Sequence, residues 1–305
     1  MTRHRIRDGW LIREKRSDFR ISETTTEANV TVILRSSQFF LTACHMAASS
    51  ALSVLTVTGL KVVPKQPIYS KRQAHTIVVL AGIFCGSILA GNASLRYLPI
   101  SFNQMVGATT PFFTALLAFL ITGTVETAKV YLALVPVVVG VMISTGGEPQ
   151  FHLLGLIVCL LSTAARALKS VMQGLLMSNP EEKLDSVNLL RFMAPAAFLM
   201  LIPLTLIFED VERISAFFSP AQNPKYLSFS LLLLLNSLCA FFVNLLNFLV
   251  TKKTNALTLQ VLGNAKGVVA TAVSVLIFRN PLTVQSVLGY AITLFGVAMY
   301  SYQKK

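Results

Sequence analysis

FHLLGLIVCLLSTAARALKSVMQGLLM, residues 151–177, is the stretch whose reading decides the fold. A helix needs about 20 apolar residues to cross a bilayer core. This segment is longer than that, and it carries Arg166 and Lys169 near its middle. Eight further segments of similar character surround it, at roughly 38–60, 75–95, 102–122, 129–146, 187–208, 228–250, 256–278 and 283–302. The connections are short and hold Pro, Gly or charge, as in KVVPKQP, GGEPQ, SNPEEKLD and SPAQNPK. Irregular backbone cannot face lipid, so such segments have to be helices.

The totals agree. The chain has 305 residues, 54% hydrophobic and only 13% charged. A soluble chain of this length places far more charge on its surface. The expectation is an all-α polytopic membrane protein with about nine transmembrane helices. Residues 1–37 form a polar, basic N-terminal tail, 38–302 the transmembrane domain, and 303–305 a short C-terminal tail.

Net charge is +13. The basic residues are scattered over short loops, which argues against a nucleic-acid partner and for orientation by positive loops. Loops one, three, five and seven, with the C-terminal tail, hold ten Lys and Arg, and the even loops hold four. The C-terminus is therefore expected in the cytosol. The four cysteines (Cys44, Cys85, Cys159, Cys239) fall inside apolar segments in no paired spacing, so neither a disulfide framework nor a metal site is expected.

The N-terminal tail carries eight basic residues. Nine helices would place it opposite the C-terminus, against the positive-inside rule. A repeat points to the same gap. SFNQMVGATTPFFTALLAFLI and LTLQVLGNAKGVVATAVSVLI align Gln104 with Gln260 and Gly107 with Gly263, at an offset of 156. The same offset sets Gly140-Val141 on Gly296-Val297. The halves are five helices apart, an odd number, so they should be inverted. Loop charge and repeat both ask for one helix before residue 38.

Within the segments the ionisable residues singled out are Arg166, Lys169 and Lys266. They lie roughly 12–16 Å from the cytosolic end of their helices at 1.5 Å per residue. Arg166 and Lys169 share a face, which Gln173 continues. No Asp or Glu lies in a helix interior. A buried cation costs about 2.5–3.5 kcal/mol on insertion scales, and a visiting anion offsets that cost. Snorkelling to the interface is the competing reading, strongest for Lys169. Asn103, Gln104, Gln260 and Asn264 are the candidate polar companions of the substrate, and Tyr290 or Tyr300 a stacking surface. Asn92, Asn244 and Asn247 read as helix glue, His45 as a satisfied core residue, and Gly82–Gly86 and Gly289–Gly296 as close helix packing. No cofactor is expected, nor an enzyme, since no carboxylate or His cluster lies within the membrane.

SLRYLPISFNQ, VGATTPFFTALL, PVVVGVMISTGGEP, STAARALKSVMQGLLM and NLLNFLVTKKTNALTLQVLGNAKG resemble the triose-phosphate translocator family of the drug/metabolite transporter superfamily. The likeness is nearest to its nucleotide-sugar-transporter-like branch, which includes UDP-uronic acid transporters of the Golgi. It implies a ten-helix fold of two inverted halves and exchange by alternating access. It also implies that the first family helix is missing here, through truncation or as a working variant. In the plastid carriers of the family a Lys-Arg pair binds phosphate. Lys266 matches that lysine and Gly267 stands in place of the arginine. The implied function is a Golgi antiporter of a nucleotide sugar against a nucleotide monophosphate. The alternatives are a sugar-phosphate/phosphate translocator of the plastid inner envelope and a nonfunctional truncated carrier. The partners are an anionic small molecule and membrane lipid, with oligomeric state open.

Overall fold

The computed structural model describes residues 37–303, apart from 124, 126, 147–151, 179–181, 222, 255, 257–258, 261–262 and 264–282. The described residues are helical and contain no strand. The helices are α1 (Gln38–Val54, continued by a π turn Leu55–Gly59), α2 (Lys71–Ser94), α3 (Ile100–Gly107), α4 (Thr110–Thr122) and α5 (Ala128–Gly146). They continue as α6 (Leu153–Ser178), α7 (Ser186–Phe208), α8 (Val211–Phe218), α9 (Tyr226–Lys253) and α10 (Val284–Gln303). Six stretches are long and apolar enough to cross a membrane, with α3 and α4 together supplying one of them. Ala128–Ile143 and Val287–Tyr300 are shorter apolar helices.

The surface is inverted relative to a soluble protein. Leu120, Leu132, Met142, Leu161, Leu199 and Ile207 point outward, while Ser162, Thr163, Gln173, Asn188 and Thr293 are buried. Outside is lipid, and small polar residues inside let helices approach and bond. On α6, Ser162 Oγ donates to Ser87 O of α2 at 2.8 Å. A Cβ on Gly91 would lie 3.1 Å from that hydroxyl, so the pair fits because Gly91 has none.

Helix ends sort onto two rims. At one rim the α1–α2 connection meets the start of α7. Gln66 N donates to Asn188 Oδ1 at 3.2 Å, Asp185 N to Gln66 Oε1 at 2.6 Å, and Gln73 Nε2 to Glu182 O at 2.6 Å. Lys252, at the end of α9, pairs with Asp185 there. Burial works to raise the Asp185 carboxyl, but the Lys252 ammonium and the Val187 and Ser186 amides outweigh it and hold it below the usual range. At the other rim Tyr97 stacks on His152 at 4.8 Å, and Gln285 Nε2 reaches Ile143 O at 3.1 Å.

The second rim also holds a cap supplied from a distance. Ser37 makes no side-chain cap for α1. Instead the Glu209 carboxylate, just past α7, accepts from Phe39 N at 2.6 Å and Phe40 N at 2.9 Å. A carboxylate at a helix N-terminus satisfies orphan amides and complements the dipole. Glu209→Ala is expected to cost about 1–2 kcal/mol, with Glu209→Gln recovering part. Thermal unfolding in detergent measures it.

The predicted repeat has a physical counterpart where α5 crosses α10. A Cβ on Gly140 would meet Thr293 Oγ1 at 2.4 Å and Gly289 O at 2.5 Å, and one on Gly296 would meet Val137 N at 2.8 Å. Thr293 Oγ1 donates to Gly289 O at 2.9 Å and reaches Val137 O at 3.5 Å. Gly140 and Gly296 are 156 residues apart, and so are Val137 and Thr293. Each half therefore presents to the other the contact it receives, as a two-fold relation requires. The same offset carries α2 onto the body of α9.

Some expectations need correcting. Segment 102–122 is two helices. Pro111 has no N–H to give Gly107 O, and Thr110 Oγ1 donates to that carbonyl at 2.5 Å instead. The short helix α8 was not foreseen. It buries Ile214 and Phe217 along the rim. Gly82 has nothing nearer than Met200 Sδ at 4.0 Å and Gly86 nothing within 4 Å, so that pair is not a packing contact, unlike Gly296. Residues 1–36 and most of segment 256–278 lie outside the described residues.

Candidate functional site

The helix α6 organises the site. Its outward stripe is Ile157, Leu161 and Leu175, all exposed. At 100° per residue the opposite stripe is Cys159, Ser162, Thr163, Arg166, Ser170 and Gln173. Every member of that inner stripe is buried except Arg166, which is exposed. The Arg166 guanidinium, accessible yet set deep in a protein-facing stripe, faces the inside of the bundle and not lipid.

Arg166 is held from two sides. Its Nη2 donates to Thr163 Oγ1, one turn back, at 3.1 Å. Across the gap lies Gly107, the last residue of α3, where an added Cβ would stand 3.5 Å from Nη2 and 3.8 Å from Nη1. The chain interruption at Ala108–Thr109 thus falls beside the cation. Discontinuous helices near the middle of the membrane are where transporters build ion and substrate sites. A side chain at 107 larger than methyl would press on the guanidinium. Gly107→Val is expected to leave the protein folded and to lower ligand affinity about tenfold, near 1.4 kcal/mol, as titration calorimetry would measure.

The other candidates divide. Gln260 converges, since its Nε2 donates to Ser170 Oγ at 2.5 Å, one turn of α6 beyond Arg166. The Lys169 ammonium lies 4.6 Å from the centroid of Phe84 on α2, a cation–π contact. It shares the side of α6 with Arg166 but turns toward α2. Gln173 is buried and donates to Thr251 Oγ1 at 3.0 Å, tying α6 to α9. Asn103 is buried with Nδ2 on Ser94 Oγ at 2.5 Å, tying α3 to α2. Gln104 is half-buried beside it. Lys266 and Asn264 lie outside the described residues.

Other readings fare unevenly. Asn244 Nδ2 reaches Ser49 Oγ at 3.4 Å, as helix glue should. Asn92, expected as helix glue, and His45, expected as a satisfied core residue, each bury one nitrogen (Nδ2 and Nε2) without a hydrogen-bond partner. Tyr300 is buried against Ala115, Val130 and Leu134 and belongs to packing, while the half-buried Tyr290 packs on the cluster of Leu98, Phe102 and Val141. One cation was overlooked. Arg191, in α7, has its guanidinium 4.5 Å from the Phe192 ring centre and donates Nη2 to Gln66 O at 3.4 Å. Its signal was plain, a lone arginine five residues into an apolar segment, but it sits at the rim.

The electrostatics are one-sided. Among the described residues every Asp and Glu (Glu182, Asp185, Glu209, Asp210, Glu212) lies outside the membrane-crossing stretches. No described carboxylate therefore neutralises Arg166 at depth. Among the same residues no group of three His, Cys, Asp or Glu could hold a metal. Such an arrangement can receive an anion.

The model of the Triose-phosphate Transporter family matches residues 29–301. UDP-uronic acid transporter 1 of Arabidopsis thaliana is 53% identical over 266 residues, 87% of this chain and 85% of its own. A probable sugar phosphate/phosphate translocator of Arabidopsis thaliana is likewise 53% identical over 87% of this chain and 85% of its own. A chain of known crystal structure superposes with a TM-score of 0.59 over 92% of this chain and 94% of its own, at 16% identity, a likeness of fold alone.

Proposed function

The chain belongs to the Triose-phosphate Transporter family, and from that premise we propose that it is a Golgi antiporter exchanging a UDP-sugar for a nucleotide monophosphate. It is an integral membrane transporter and not an enzyme. The observation that carries the proposal is the exposed Arg166 guanidinium on the inner stripe of α6, with no carboxylate at its depth among the described residues. In this reading Arg166 and Lys266 hold the phosphates. Lys169 adds positive potential. Gln260 and Asn264 bond to sugar or base, and Asn103 and Gln104 keep α3 and its interruption in position.

Two features favour a nucleotide sugar. One is the similarity to UDP-uronic acid transporter 1. The other is Gly267 after Lys266, where the plastid phosphate carriers have arginine. The sugar-phosphate/phosphate reading rests on the equally similar translocator. The two inverted halves supply alternating access, with the anion as the load that lets the cations cross between states.

A ligand that binds only the folded protein raises its stability, by about 2.7 kcal/mol at one hundred times the dissociation constant. Purified protein should therefore melt several degrees higher with UDP-glucuronate, UDP or UMP than with inorganic phosphate or triose phosphate. The reverse order would favour the second reading and the plastid envelope. No shift with any phosphate would favour a nonfunctional truncated carrier.

A further inference from the structure

We propose that a cavity between the start of α2 and the end of α6 binds the headgroup of phosphatidylethanolamine from the surrounding bilayer. The cavity has a volume of about 520 Å³. It is lined by Arg72, Gln73 and Thr76 of α2, by Leu175 and Ser178 of α6, and by Glu182 just past α6. It lies at the rim where Asp185 pairs with Lys252, and it is separate from the Arg166 site. Leu175 is nine residues beyond Arg166, which at 100° per residue sets it on the opposite side of α6. It belongs to the outward stripe of that helix. The cavity therefore faces lipid and not the interior of the bundle.

Its walls carry two opposite charges that do not meet. Arg72 is exposed and Glu182 half-buried. Among the described residues neither side chain forms an ion pair or a hydrogen bond. Glu182 is fixed through its backbone instead. The buried Gln73 donates from Nε2 to Glu182 O at 2.6 Å, and its Oε1 accepts from Tyr69 N at 2.9 Å. That amide is committed to the scaffold, while the cation and the carboxylate both stay open to the cavity. An occupant that answers both must itself be dipolar, with an anion for Arg72 and a cation for Glu182.

The hydroxyls narrow the choice. Thr76 Oγ1 donates to Arg72 O at 2.9 Å, and Ser178 Oγ donates to Gly174 O. With its proton committed, each oxygen is left as an acceptor. A carboxylate and two acceptor oxygens suit a primary ammonium, which brings N–H donors. The quaternary choline headgroup has no N–H, and the serine headgroup adds a carboxylate beside Glu182. The order in depth also fits a lipid. Glu182 lies beyond the helix end, Arg72 is the second residue of α2, and Leu175 is three residues inside α6, about 4.5 Å deep. Ammonium, phosphate and acyl chain follow one another in that sense along a phospholipid. Basic pockets between transmembrane helices are known places for headgroup recognition.

Native mass spectrometry of the full chain in detergent tests this directly. Phosphatidylethanolamine and phosphatidylcholine with identical acyl chains are added in equal amounts. The ethanolamine lipid should be retained over the choline lipid by at least about threefold, as one partly screened charge pair gives. Glu182→Gln keeps the size, removes the charge and should erase that preference. Arg72→Gln should lower retention of both lipids, since both carry the phosphate. Lipid-free melting temperatures of the two variants should match the native chain, because neither side chain bonds to another described residue. Free phosphoethanolamine should not displace the lipid, since it has no chain to lie on Leu175. Equal retention of the two lipids by the native chain would overturn the proposal. So would a preference that survives Glu182→Gln, or displacement by free phosphoethanolamine. None of these readouts depends on transport.

Discussion

Arg166→Gln is expected to abolish most exchange while leaving the fold intact. The loss follows from charge. At an effective dielectric near 20, one charge pair at 4 Å gives about 4 kcal/mol, so the exchange rate at subsaturating ligand should fall by roughly 100-fold or more. The fold should survive because Arg166 is exposed and its one described hydrogen bond, to Thr163 Oγ1, is to a neighbour on the same helix. Arg166→Lys should recover part of the rate, since charge counts for more than the shape of the fork. Lys266→Gln should behave like Arg166→Gln, and Lys266→Arg like the partial rescue. Initial rates in proteoliposomes of equal protein content, beside melting curves of the same variants, separate loss of function from loss of structure. Normal exchange by Arg166→Gln would remove the anion site from α6.

The second large effect is structural. Gly140→Ala places a methyl 2.4 Å from Thr293 Oγ1 and 2.5 Å from the Gly289 carbonyl oxygen. A side chain can rotate away, but a backbone carbonyl cannot, so α5 and α10 have to separate. Overpacking of this kind costs about 1–3 kcal/mol and more when backbone must move. Gly296→Ala meets Val137 N at 2.8 Å and should cost a similar amount. The two-fold relation adds a sharper expectation. The double substitution should cost less than the two single costs combined, because one separation of the helices relieves both clashes. Gly86→Ala is the control. Nothing lies within 4 Å of it, and alanine is the better helix former. Melting temperature and monodispersity in detergent give the comparison.

Much of this architecture is written in segment length, because the bilayer imposes one rule on every span. The 156-residue offset pairs Gly140 with Gly296, and the structure adds what the offset did not say, that these repeat-related glycines lie where α5 and α10 cross closely. Gly82–Gly86 has the same small-residue spacing and packs against nothing close. Spacing says where two helices could approach, not whether a partner is present. The break at Ala108–Thr109 was legible in principle from Pro111 and Gly107, but the apolar run passes through it unbroken. The cap on α1 was not legible, since Glu209 is 170 residues from Phe39 and no local pattern links them.

The site was half legible. A cation within an apolar span stands out in any reading, and Arg166 lies where that reading put it, on the inner stripe. Helical periodicity also set Lys169 and Gln173 on that side. It could not foresee that Phe84 and Thr251 would engage them, because those partners come from other helices. Gln260 bonds to Ser170 on α6, while Lys266 lies outside the described residues. Tyr290 and Tyr300 were chosen for ring chemistry alone; Tyr300 packs in the interior and Tyr290 is half-buried.

The proposed exchange makes a prediction that few other readings share. The full chain is purified, reconstituted into liposomes and supplied with radiolabelled UDP-glucuronate outside. The vesicles are loaded with UMP, with inorganic phosphate, or with buffer alone. Uptake should be rapid only with UMP inside, slow with phosphate and near background in empty vesicles, and Arg166→Gln should flatten the differences. Uptake that is the same whatever the vesicles contain, or that proceeds equally well with an uncharged sugar, would contradict an anion-coupled carrier.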